Sequence, residues 1–219
     1  MFSVYDIALS NGLLILATAS CVYHTHKKLS TTILNFEPDL TAATVGVLAI
    51  NFRSIFNFLS PLILSASRSI NRTETSARED EDKAVLRIGP LHEKLCRVIS
   101  MSGLIYAVCE SHENRKTGIF IVSLLSALEL RHALCGGYPR YQENKWYHFL
   151  WMLAGGSFGW IKGNKYCFWA YLPYLISFLL LAPEKDLAWS VRRVVNNYMM
   201  MAHVFLMLEA VREGRSLQA

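Results

Sequence analysis

The sequence predicts an all-α fold, a polytopic transmembrane bundle of about seven helices. Residues 167–182 contain no charged side chain, and residues 41–66 contain only Arg53. Charged residues make up 18% of the 219 positions, against roughly 25% in a typical soluble domain. An apolar run of about 20 residues lets a helix cross the hydrocarbon layer of a bilayer, which is about 30 Å thick. Together these observations predict a chain that is largely embedded in lipid.

The apolar segments place the helices in order along the chain. The first follows Asp6 rather than a Lys or Arg, so we interpret it as an uncleaved membrane helix and not as a signal peptide. The third has an uncharged core of only 98–109, which is typical of a short span, a re-entrant segment or an interfacial helix, so six membrane helices are the alternative. The predicted helices cover residues 4–23, 41–66, 95–110, 117–136, 146–161, 166–182 and 187–211.

One membrane-embedded domain is expected over residues 1–219, because this length leaves no room for a second core. Residues 67–94 interrupt the apolar pattern with the mixed-charge run REDEDK at 78–83. A composition of this kind cannot bury a core, so it predicts a flexible polar loop. We favour a solvated linker over a docking or regulatory loop.

Charged and polar groups within apolar segments are costly in lipid and are therefore candidate functional residues. In the second helix, Arg53 and Asn57 stand four positions apart and share a face, and Pro61 follows with the potential to kink the helix. These residues predict either a polar notch that lines an ion or substrate path, or an arginine that pairs with a carboxylate elsewhere in the bundle. We favour the second interpretation.

The fourth helix supplies that carboxylate, Glu129, with His132 three positions later on a neighbouring face. Glu129 is the natural partner for Arg53 if the second and fourth helices touch, and a Glu/His pair could also relay protons. A di-metal site would need a Glu-x-x-His motif on more than one helix, and the apolar spans contain one copy. The sequence therefore predicts no metal and no cofactor.

In the seventh helix, Arg192, Asn196 and His203 follow spacings of four and seven, which place them on one face. This polar stripe either faces a cavity or forms hydrogen bonds inside the bundle.

Helix packing is indicated by Gly155, Gly159 and Gly163, because small residues four apart let two helix backbones approach closely. The surrounding aromatic residues are predicted to anchor helix ends at the membrane interface. They are Trp146, Tyr147, Trp151, Trp160, Tyr166, Trp169, Tyr171 and Tyr174.

Three function classes agree with this pattern: first a non-catalytic membrane subunit or assembly factor, second a channel or transporter, and third a membrane enzyme acting on a lipid-like substrate through Glu129 and His132. The expected partners are the lipid bilayer and other membrane-protein subunits. Nucleic acid is excluded, because the aromatic residues lie within apolar runs and not on a basic face. The five cysteines form no CxxC pair and are expected to be free thiols.

Overall fold

A computed structural model describes residues 4–29, 37–70, 75–135, 145–180 and 189–217. These residues form seven α-helices and no strand, so the all-α prediction is confirmed over this part of the chain. The helices are α1 (Val4–Leu29), α2 (Pro38–Ile70), α3 (Thr75–Ser111), α4 (Arg115–Cys135), α5 (Lys145–Ile161), α6 (Lys165–Leu180) and α7 (Trp189–Ser216).

The third helix differs most from its predicted range. It begins at Thr75, so the backbone of residues 75–94 is helical where we expected a polar loop. Helix-forming residues fill positions 77–84, and Glu79 stands four residues before Lys83, a spacing that stabilises helices. A segment that cannot bury a core can therefore still form local helix, while the flexibility of residues 67–94 stays a prediction.

Successive helices run in opposite directions, so α1, α3, α5 and α7 all finish at one end of the bundle. We call this end the turn end, because it holds the tight turns at 112–114 and 162–164. The side chain of Asn164 joins these turns to α7 by hydrogen bonds to His112 and to the Ala210 carbonyl. At the same end, Arg215 pairs with Asp39 at the start of α2.

The two turns share one backbone geometry. Glu113 has φ 56° and Gly163 has φ 68°, and the amide of each donates to the carbonyl three residues earlier. The amide of the asparagine that follows, Asn114 or Asn164, donates to the carbonyl five residues earlier. This left-handed cap closes both helical hairpins, α3–α4 and α5–α6, in the same way.

The backbones of α2 and α3 approach each other closely at two glycines. A Cβ atom on Gly103 would stand 2.5 Å from the Ala42 carbonyl oxygen and 2.9 Å from the Gly46 Cα. A Cβ atom on Gly46 would stand 2.9 Å from the Ser100 carbonyl oxygen. These two glycines therefore permit a contact that any larger residue would prevent.

Large apolar side chains lie on the outside of the bundle. On α4, Phe120, Leu124 and Leu128 are exposed at intervals of four residues, which makes a continuous stripe. Similar exposed residues occur on each of the other helices, including Leu16 on α1 and Phe52 on α2. The surface described by these residues is therefore strongly apolar.

Two helical segments in the described chain, Pro38–Phe56 and Val194–Ser216, are long and apolar enough to cross a membrane. About half of each, 44% and 56%, is buried inside the protein. This finding supports association with a membrane, and by itself it does not establish a multi-pass arrangement.

Candidate functional site: a buried ion pair and its neighbours

The most buried charged group of the candidate site is Glu129 on α4, which is 1% exposed. Its Oε1 atom accepts hydrogen bonds from Arg97 Nε at 3.0 Å and from Arg97 Nη2 at 2.6 Å. Its Oε2 atom accepts a hydrogen bond from Trp151 Nε1 at 2.8 Å. The carboxylate thus joins α3, α4 and α5 through three charge-assisted hydrogen bonds.

The expected pairing of Glu129 with Arg53 is wrong, because Arg97 occupies that role. The helix α4 packs against α3 and α5. Close packing at Gly46 and Gly103 joins α2 to α3, which supplies Arg97. Arg53 lies half-buried on α2 and has an interaction of its own.

The network continues from Arg97 to α6 through His148. Arg97 Nη1 lies 2.8 Å from His148 Nε2, and His148 Nδ1 lies 2.8 Å from the Tyr174 hydroxyl. A guanidinium can only donate, so Nε2 of His148 accepts and Nδ1 carries the hydrogen that it donates to Tyr174. In this arrangement His148 is the neutral tautomer with its hydrogen on Nδ1.

His203 on α7 lies against the same group of rings. Its ring centroid is 5.2 Å from that of Tyr174 and 5.8 Å from that of Tyr171. Its Nδ1 atom donates to the Ala170 carbonyl at 2.8 Å. Its Nε2 atom and the Tyr171 hydroxyl are both buried without a hydrogen-bond partner among the described residues.

The site lies near the middle of the bundle. Arg97 precedes the end of α3 at Ser111 by 14 residues, and Glu129 follows the start of α4 at Arg115 by 14 residues. At 1.5 Å per residue, both lie about 21 Å from the turn end. The ion pair is therefore far from either end of these helices.

The other predicted polar residues do not join the ion pair in the same way. Asn196 is buried on α7 and has an interaction of its own. The side chains of Asn57, His132 and Arg192 lie outside the described part of the structure. Of the residues expected to converge, Glu129 and His203 are those that the described contacts bring to one cluster, through His148 and Tyr174.

The predicted glycine face divides into two roles. A Cβ atom on Gly155 would overlap the Tyr171 hydroxyl, and one on Gly159 would lie 2.9 Å from the Cys167 Cβ. Both glycines thus face α6 of the same chain. Gly163 meets no other atom within 4 Å of such a Cβ, and it ends α5 in the left-handed conformation.

Four members of the site were not predicted from the sequence: Arg97, His148, Trp151 and Tyr174. Trp151 and Tyr174, and Tyr171 beside them, were expected at the membrane interface but are buried in the core. The sequence does contain one signal for two of them. His148 and Trp151 stand three positions apart, so they place two polar ring nitrogens on one helix face.

A second polar cluster lies at the turn end around His112. Asn164 Nδ2 donates to His112 Nε2 at 2.9 Å and to the Ala210 carbonyl at 2.8 Å. Burial lowers the pKa of His112, the charge of Lys162 lowers it further, and Glu213 opposes both effects. The neutral ring is thus the form that accepts from Asn164.

An open groove of about 410 Å³ lies on the outer face of α5 and α6. Leu153, Trp160 and Phe168 contribute its large side chains, and Gly156 and Ser157 its small ones. The described residues contain no group of three or more His, Cys, Asp or Glu side chains that could hold a metal ion.

No family model, no characterised protein sequence and no solved structure matches this chain. The function is therefore inferred from the geometry of the chain alone.

Proposed function

We propose that this protein is an integral multi-pass membrane protein, one helical domain in lipid, that acts as a non-catalytic subunit or assembly factor. The observation that carries the membrane assignment is the distribution of side chains. Leu16, Phe120 and Trp160 are 70%, 67% and 73% exposed, while the ion pair of Arg97 and Glu129 is buried. Soluble monomers rarely expose large contiguous apolar patches, whereas lipid favours this arrangement.

The lengths of the shorter helices agree with this proposal. The helices α5 and α6 contain 17 and 16 residues, which correspond to about 25 Å of helix. A span a few ångströms shorter than the hydrocarbon layer is accommodated by local thinning and by lysines whose stems extend to the interface. Lys145 and Lys165 begin these helices and are placed for that purpose.

The hydrogen bonding of Glu129 supports a structural role over a catalytic one. Each of its oxygens already accepts from Arg97 or Trp151, and the carboxylate is 1% exposed. A general base needs a free lone pair within reach of a substrate proton. The guanidinium of Arg97 stays charged, so it cannot pass a proton from Glu129 to His148.

The membrane assignment is tested by topology mapping. In a variant without the five native cysteines, Lys116→Cys and Lys162→Cys should react with a membrane-impermeant maleimide from the same side of sealed vesicles. Glu79→Cys should react only from the opposite side. Labelling of the two turns from opposite sides, or a folded monodisperse protein in buffer without detergent, would contradict the proposal.

The non-catalytic role is tested by flux. Liposomes that contain the purified protein should pass protons, ions and small solutes no faster than empty liposomes. A flux above this background that is lost in Glu129→Gln would show that the ion pair belongs to a conducting path and would refute the proposal.

A conducting role is the second candidate, and one observation favours it. His203 Nε2 and the Tyr171 hydroxyl are a buried acceptor and a buried donor, both without a partner among the described residues. Such a pair is suited to bind a water molecule or a small polar solute. A flux that survives Glu129→Gln but is lost in His203→Leu would favour this candidate.

A further inference from the structure

The groove on α5 and α6 combines an apolar channel with cations at one end. Trp160 and Phe168 stand at this end, with ring centroids 5.5 Å apart. Lys162 follows α5 directly in the turn, and Lys165 precedes Phe168 by three positions, which places Lys165 and Phe168 on one face of α6. Both lysines are exposed.

The position of these groups corresponds to the layers of a bilayer. The lysines lie at the turn end, where the helices would meet the headgroups, and the apolar part of the groove extends along α5 toward Leu153. Trp160 is 73% exposed beside the lysines, which is the depth that indole rings prefer. An elongated apolar ligand with an anionic head therefore matches both parts of the groove.

We propose that this groove binds an anionic phospholipid, with an acyl chain against Leu153, Gly156 and Phe168 and the phosphate between Lys162 and Lys165. This inference rests on the proposed membrane location. Charge complementarity favours the lipid over a helix from a partner protein, because the two ammonium groups need an anion at the headgroup level.

Gly156 offers a way to block the groove without disturbing the core. A Cβ atom there would meet only a Tyr171 carbon at 3.8 Å, which is an ordinary contact. A leucine at this position should therefore project into the groove while α5 and α6 remain packed.

The test measures quenching of tryptophan fluorescence by brominated lipids in phosphatidylcholine vesicles. The Trp160 signal is the difference between the wild-type protein and Trp160→Phe. Brominated phosphatidylglycerol should quench this signal with a higher association constant than brominated phosphatidylcholine, by about fivefold for each lysine that contacts the phosphate. High salt should reduce the preference.

Three variants separate the parts of the site. Lys162→Gln/Lys165→Gln should bring the ratio of the two association constants to about one, because the attraction of each lysine for an anionic headgroup is lost. The matched control, Lys27→Gln/Lys28→Gln, removes two exposed lysines from the end of α1 and should leave the ratio unchanged. Gly156→Leu should weaken quenching by both lipids.

Equal quenching by the two lipids in the wild-type protein would overturn the inference, as would an equal loss of preference in the control variant. A crosslink from Ser157→Cys to another polypeptide, without quenching by either lipid, would assign the groove to a partner helix. Flotation of vesicles separates the two proposals. Failure to float with vesicles refutes the membrane location, while flotation without lipid preference refutes only the lipid site.

Discussion

Neutralising Glu129 should destabilise the protein severely, because it leaves a buried guanidinium without its counter-charge. Arg97 and Glu129 side chains are 9% and 1% exposed, and their closest atoms are 2.6 Å apart. Removing one partner of a buried ion pair typically costs about 3–5 kcal/mol. Glu129→Gln keeps an amide oxygen that can still accept from Trp151 or Arg97, so we expect the lower end of this range, about 3 kcal/mol. This cost lowers the folding equilibrium constant by about 100-fold.

The two single variants should differ in a way that the geometry dictates. A lone carboxylate can bind a proton and become neutral, whereas a lone guanidinium stays charged. Arg97→Met should therefore be milder than Glu129→Gln, and its defect should shrink as the pH falls. The double variant Arg97→Met/Glu129→Met should be more stable than Glu129→Gln alone, because it contains no unpaired buried charge.

The measurement is reversible unfolding in mixed detergent micelles, followed by circular dichroism, with a double-mutant cycle over the two positions. Ser102→Ala is the matched control, since Ser102 and Ser126 form a neutral 2.9 Å hydrogen bond between the same two helices. Hydrogen bonds of this type contribute about 0.6 kcal/mol in membrane proteins. If Glu129→Gln costs no more than Ser102→Ala, the ion pair is not what joins α3 to α4, and the reasoning fails.

The remaining predictions concern packing, pH and the turns. Gly103→Ala places a methyl group against the backbone of α2 and should destabilise the fold by about 1–3 kcal/mol, while Gly12→Ala, which meets no atom within 4 Å, should not; equal thermal shifts would contradict the close contact. Because the folded state lowers the pKa of His112, its stabilising contribution is complete above the ordinary value near 6.5 and is lost as the pH falls below it. His112→Gln should flatten the dependence of stability on pH in this range, and an unchanged slope would show that another group titrates. Gly163→Ala should cost about 1 kcal/mol at its positive φ, and Glu113→Gly should gain a similar amount at the equivalent position; denaturant midpoints that move in any other direction would contradict the shared turn geometry.

The positions of the helices could be predicted from the sequence because each depends on a local apolar run. All seven predicted ranges overlap helices in the described chain, and the termini of α5 and α6 nearly coincide with their predicted ends. The early start of α3 was missed, because a low apolar content says whether a segment can be buried and not whether it forms helix. Local pattern thus determined the elements better than their environment.

The partner of Glu129 could not be found by helix periodicity, which identifies a face but not the neighbour that the face meets. A different signal was present. Two helices joined by a tight turn place residues at equal distances from the turn on one level, and Arg97 and Glu129 are each 14 residues from the ends of the 112–114 turn. Ser102 and Ser126 are nearly level by the same count. Arg53 has no such relation to Glu129, since no short turn joins α2 to α4.

The aromatic residues show why composition alone misplaced part of the site. Trp146, Trp160 and Trp169 are exposed, in agreement with anchoring, while Trp151 and Tyr174 are buried. The two groups have the same residue types and lie in the same stretch of sequence. What separates them is a buried hydrogen-bond partner, Glu129 for Trp151 and His148 for Tyr174, which tertiary contacts alone provide.

The buried polar contacts form a chain that crosses five helices in order. Glu129 of α4 joins α3 and α5, His148 of α5 joins α6 through Tyr174, and His203 of α7 joins α6 through the Ala170 carbonyl. Apolar contacts between helices differ little in energy from contacts with lipid, so they discriminate weakly between possible neighbours. Each polar contact has few acceptable partners, and an unpaired group in hydrocarbon is costly. We therefore expect the ion pair to determine which helices are adjacent more than it increases stability. The double variant Arg97→Met/Glu129→Met should then keep its helix content while the crosslink between cysteines placed at Ser102 and Ser126 loses efficiency. An undiminished crosslink would show that the short 112–114 turn alone sets the α3–α4 register.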